Sequence, residues 1–131
     1  ENLTATHFDF RECPEAVLVE GCTLLNTSVG NAMLISHKLS GDYARNVTFR
    51  DIDVLSVHDH GEVLSVHNND RAIVSDVLFE DIWVEHCWDK FIDFPISRSC
   101  FSTDETGGHI RGVTLRNIVW QQIPANVGYT I

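Results

Sequence analysis

No stretch of this chain approaches the roughly 18 consecutive apolar residues that a membrane-spanning helix needs. The chain does not open on a basic patch followed by an apolar core, so no secretory signal is readable in it. Positive charge is scarce as well: 9 Lys and Arg stand against 19 Asp and Glu, a formal net charge of −10. No basic run stands out, which argues against nucleic acid and anionic membrane surfaces as partners. The four cysteines form no CxxC and no zinc-type spacing. Cys87 and Cys100 flank one predicted strand at opposite ends, too far apart for a bridge unless both loops fold back, so free thiols are expected. Three Asn-x-Ser/Thr sequons, at Asn2, Asn26 and Asn46, are short patterns that chance supplies easily.

What the chain has is repetition. AVLVEGCTL, NVTFRDIDV, DVLFEDIWV and GVTLRNIVW begin at Ala16, Asn46, Asp76 and Gly112, about 30 residues apart. With apolar content at 44% there is material for a core, and the repeats form one domain, 1–131. In each copy the apolar positions alternate, skip once, and alternate again. The inward columns run through Val17, Val47, Val77, Val113, then Val19, Phe49, Phe79, Leu115, then Cys22, Ile52, Ile82, Ile118. Period-2 alternation on both sides of a one-residue shift predicts two short strands joined by a tight bend. Gly21, Asp51, Asp81 and Asn117 occupy the bend, all residues that suit turns. The preceding outward position holds Glu20, Arg50, Glu80 and Arg116, which alternate in sign if strands stack in parallel register about 4.8 Å apart.

A second segment recurs between these copies: HFDFR from His7, AMLIS from Ala32, VLSVH from Val63, FIDFP from Phe91 and the terminal GYTI. Sequence-adjacent strands do not read as hairpins, so successive windings run parallel. This pattern resembles the right-handed parallel β-helix of the pectin-lyase-like superfamily over nearly the whole chain. The resemblance implies an all-β fold: a single-stranded right-handed parallel β-helix of about four coils with three short parallel sheets. Neither end carries an amphipathic capping helix, so a segment of a longer β-helix, or homo-oligomerisation through exposed coil ends, is expected.

The resemblance further implies a carbohydrate-active protein whose substrate groove runs along the first sheet. Carried over, the groove floor is Asp9, Leu34, Ser65, Asp93 and Thr130, walled by the loops before and after each such strand. A polysaccharide or oligosaccharide is the implied partner, and a secreted or periplasmic setting goes with it. Glycoside hydrolysis needs two carboxyl groups, about 5–5.5 Å apart for retention and about 6.5–9.5 Å for inversion. Asp9 and Asp93 lie three coils apart, roughly 14 Å, and are no pair. Asp93 with Asp70 or with Glu62 spans adjacent coils, so Asp93, Asp70 and Glu62 are the expected catalytic carboxyls. His67, His37, Ser65, Arg71 and Trp88 border the same groove and are the expected substrate-binding residues.

The run His58-Asp59-His60 lacks a third spaced ligand; a divalent cation is a weak expectation there, and no metal or cofactor is assigned. The polygalacturonase pattern, a paired Asp-Asp with Gly-His-Gly and Arg-x-Lys, does not occur; HDHGE and HNNDR are the nearest strings. An acidic groove disfavours polyanionic substrates, so a neutral glycan is preferred. Glycoside hydrolase is the leading expectation, with a polysaccharide lyase and a non-catalytic glycan-binding or structural β-helix as alternatives.

Overall fold

The structure is a computed structural model that describes residues 8–10, 12–26, 30–35, 41–100, 102–103 and 105–121, with backbone alone for 8–10 and 26. Among the described residues eight strands follow one another: β1 (Phe8–Phe10), β2 (Glu15–Asn26), β3 (Met33–Ile35), β4 (Tyr43–Val57), β5 (Glu62–Val66), β6 (Ile73–Val84), β7 (Lys90–Asp93) and β8 (His109–Trp120). Among the described residues there is no helix, and so none long and apolar enough to cross a membrane.

Short and long strands alternate along the chain and sort into two sheets. The short strands order as β1-β3-β5-β7 and the long ones as β2-β4-β6-β8, and every pairing is parallel. Each strand therefore pairs with its counterpart in the neighbouring repeat. Val17, Val47, Val77 and Val113 are in register, as are Glu20, Arg50, Glu80 and Arg116. The charged column closes into ion pairs: Arg50 with Glu20, and Arg116 with Glu80.

Three short sheets were expected, and two are observed among the described residues. The predicted second and third strands of each repeat are one long strand, because the bend does not interrupt the pairing ladder. Gly21, Asp51, Asp81 and Asn117 sit there with φ of 65°, 54°, 52° and 51°. A single left-handed residue turns the chain while its neighbours keep their partners. A second left-handed column stands five residues earlier in each long strand, at Ala16, Asn46, Asp76 and Gly112, with φ of 54°, 54°, 56° and 62°. Each of the four long strands thus carries two corners in phase with those of its neighbours.

The core lies between the sheets and is continuous along them. Met33, Ile35, Leu64 and Val66 of the short strands join Val47, Phe49, Ile52, Val54, Val77, Phe79, Ile82 and Val84 of the long ones in a single buried cluster. Each such side chain contributes roughly 1.5–3 kcal/mol on full burial. Like residues stack on like: the rings of Phe49 and Phe79 lie 5.1 Å apart and within 4° of parallel. Phe91 covers Trp120 in the same way at 5.1 Å, a contact between the last short strand and the last long one. The four cysteines are free. Burial pushes the Cys87 thiol up to about 11, which leaves it unreactive.

Candidate functional site

The register of the short sheet places Asp9 beside Leu34, Leu34 beside Ser65, and Ser65 beside Asp93, the column expected to form a groove floor. Part of that floor is covered. Leu34 is 2% exposed and Ser65 fully buried, and the Asn31 amide donates to the Ser65 hydroxyl at 2.9 Å. An all-parallel sheet tends to be covered on both faces, and here the wall loops supply the second cover. The column opens at its Asp93 end.

There, an open pocket of about 510 Å³ is lined by Asn31, His60, Gly61, Glu62, His67, Asn69, Asp89, Lys90, Asp93, Pro95, Ser97 and Ser99. Its size suits a small ligand or a sugar unit. Glu62 opens β5, and its cross-strand partner is Lys90, which opens β7. Gly61 lets the preceding loop close on its neighbour: a Cβ there would collide with the Gly30 carbonyl oxygen. His67 follows β5, its backbone N–H donating to the Ile35 carbonyl at 2.9 Å. Asp93 ends β7.

These four side chains converge. One carboxylate oxygen each from Glu62 and Asp93 and a ring nitrogen of His67 lie within 4.8 Å of one another. His67 Nε2 is 3.5 Å from Asp93 Oδ2 and 3.8 Å from Glu62 Oε2. Lys90 Nζ donates to Asp93 Oδ2 at 2.9 Å and stands 3.7 Å from Glu62 Oε1. The Glu62 side chain is only 11% exposed. Burial first, and then the negative charge of Asp93, raise its pKa, with Lys90 acting in the opposite direction. The His67 pKa is lowered, again chiefly by burial, although Asp93 pulls it the other way. The Asp93 carboxylate favours an imidazolium, and desolvation outweighs it.

Of the expected catalytic carboxyls, Glu62 and Asp93 are brought together and Asp70 is not. Asp70 is 5% exposed and accepts hydrogen bonds from the Thr103 backbone N–H at 2.7 Å and the Thr103 hydroxyl at 2.9 Å. It ties the loop after β7 onto the loop after β5. Asn69 reinforces that tie by donating to the Ser99 hydroxyl at 2.8 Å, and Ser102 donates back to the Asn69 carbonyl at 2.8 Å. Asn68 does the same further along, donating to the carbonyls of Ala72 at 2.7 Å and His109 at 3.1 Å. Of the residues so tied, Asn69 and Ser99 line the pocket.

Among the expected substrate-binding residues, His67 lies in the pocket. Ser65 lies beneath Asn31 and is not part of the lining. Arg71 is outside it, paired with Asp42 at 2.9 Å. Trp88 is 43% exposed but packs edge-on against His58, ring centroids 5.0 Å apart, also outside the lining. His37 falls outside the described residues. The His58-Asp59-His60 run does not form a three-ligand cluster: the His60 ring lies 3.8 Å from both Asp59 and Asp89, while His58 faces Trp88 and His86. Glu62, His67 and Asp93 form the one group of possible metal-ligand spacing among the described residues, and the Lys90 ammonium already supplies a cation against both carboxylates.

Sequence reasoning missed Lys90 as a site residue. Ser65 and Asp93 were aligned correctly, and the same offset carried three residues back sets Lys90 opposite Glu62. No family model, curated protein or solved structure matches the chain.

Proposed function

We propose that the repeats wind as a right-handed parallel β-helix and that the Glu62–Asp93 pair hydrolyses a glycosidic bond of a neutral polysaccharide. One observation carries this reading: two carboxyl groups from adjacent repeats face one pocket, their oxygens within 4.8 Å, in unlike surroundings. Glu62 is buried with a raised pKa and is suited to donate a proton to the leaving oxygen. Asp93, held by Lys90, supplies the carboxylate that meets the anomeric carbon. The close spacing favours the retaining course, in which Asp93 forms a glycosyl ester and Glu62 then deprotonates the water that opens it. His67 positions Asp93 and offers a hydrogen-bonding atom to a sugar hydroxyl. Asp89 and the carboxyl pair leave the pocket acidic despite Lys90, which favours a neutral chain over a uronic acid polymer. A secreted or periplasmic setting is part of the same proposal.

Reducing-end release from a panel of neutral polysaccharides tests it. Glu62→Gln and Asp93→Asn should each lower kcat by about 10²–10⁴-fold, while Asp70→Asn, which removes only a loop tie, should keep most of the turnover of folded protein. Activity should fall as pH rises through the elevated pKa of Glu62. Unchanged turnover in both pocket variants contradicts the assignment. Saturable sugar binding with no product points to a non-catalytic glycan-binding protein, and an unsaturated product points to a lyase.

A further inference from the structure

The two edges of the long sheet differ in kind. Among the described residues β2 and β8 each have one pairing partner in the sheet, β4 and β6, so that among those residues the other side of each is a row of backbone N–H and C=O groups with no strand beside it. Each is 12 residues long. β2 carries two glutamates, Glu15 and Glu20, and no basic residue; β8 carries Arg111, Arg116 and His109 and no acidic one. Two β2 edges, or two β8 edges, would therefore meet like charge against like charge. A β8 edge and a β2 edge would meet opposite charges.

Register sharpens that complementarity. The charged column runs Glu20, Arg50, Glu80, Arg116, and a further layer in the same register would set Glu20 beside Arg116. A second column runs Glu15, Arg45, Ser75, Arg111, and the same layer would set Glu15 beside Arg111. Both left-handed corners, five residues apart on each strand, would also come into phase. The apolar columns supply the area. Their interior members, such as Phe49 and Phe79, are fully buried, whereas Leu115 and Trp120 on β8 are 41% and 44% exposed. An added layer would give those side chains the neighbour that the interior ones already have.

We infer that a second copy of this chain is that layer: β8 of one molecule pairs in parallel with β2 of the next, head to tail. The contact uses none of the Glu62–Asp93 pocket. Being heterologous, it does not close on itself in a straight stack, so assemblies lengthen with concentration.

Sedimentation velocity on the full chain, over a hundredfold concentration range, tests the inference. The expected result is a mass that rises in whole multiples of one chain. Arg111→Glu is the informative variant, because its neighbour within the chain is the neutral Ser75 and the new charge opposes only Glu15 of the next copy. Leu115→Lys places an ammonium on the exposed end of the apolar column. Each should weaken association at least tenfold, with thermal unfolding unchanged at concentrations where the wild type is itself monomeric, and Arg98→Glu, off both edges, should leave association as in the wild type. A monomer at every concentration overturns the inference. Equal assembly by the wild type, Arg111→Glu and Leu115→Lys overturns it too.

Discussion

Glu62 and His67 occupy one pocket, are both largely buried, and respond to burial in opposite directions. Native Glu62 holds its proton more tightly than the unfolded chain does. Its contribution to stability is full below about pH 4.5, the unfolded value, and is lost as pH rises through the elevated native pKa. Native His67 holds its proton less tightly, so its contribution is full above about pH 6.5 and is lost as pH falls through the depressed native pKa. Thermal unfolding of Glu62→Gln against wild type reads the first effect. The variant should gain relative Tm at about pH 8 over about pH 4, because only the wild type must bury a carboxylate at the higher pH. A constant Tm difference across that range would mean that Glu62 is not desolvated. Such a cost at a pocket is the usual mark of a functional carboxyl. That Glu62, His67 and Asp93 converge was legible in the sequence because they sit on or beside repeating strands, whose period places them. The separation of Asp70 from them was not, because it follows from bonds to Thr103 in an irregular wall loop that the repeat pattern does not place.

Long strands that bend without breaking are the feature that holds the pocket's frame. Their corners depend on residues that tolerate a left-handed backbone, and Asp51 at φ 54° is representative. A β-branched replacement there meets its own carbonyl, at a cost of about 1–2 kcal/mol. Asp51→Val should therefore lower unfolding free energy by about that amount in a denaturant titration. Asp53→Val, two residues on at an exposed, ordinarily extended position, should change it by less than about 0.5 kcal/mol. Equal losses at both positions would remove the corner argument. One corner was legible from Gly, Asp and Asn at a single column. The other was not, because Ala16 shares its column with Asn46, Asp76 and Gly112, and alanine carries no turn signal. Continuity of pairing through the corners was equally hidden: alternation in sequence shows where a strand changes face, not whether its hydrogen-bond ladder survives.

At the scale of the whole molecule, stacking in register turns distant residues into neighbours and sets the properties of the site. Glu62 and Asp93 meet because β5 and β7 are adjacent, as the repeats require. The same geometry leaves oppositely charged edges at the two ends of the long sheet. Repetition made that register readable from the sequence, whereas the roofing of Leu34 and Ser65 depends on irregular loops and was not. Carboxyl-carbon NMR titration of Glu62, in the wild type and in Asp93→Asn, examines the cross-repeat coupling with no need for a substrate. Glu62 should titrate above the ordinary glutamate range, and its midpoint should fall once the Asp93 charge is removed. A Glu62 that titrates as a solvated glutamate, with the same midpoint in both proteins, would contradict the pairing on which the proposed chemistry rests.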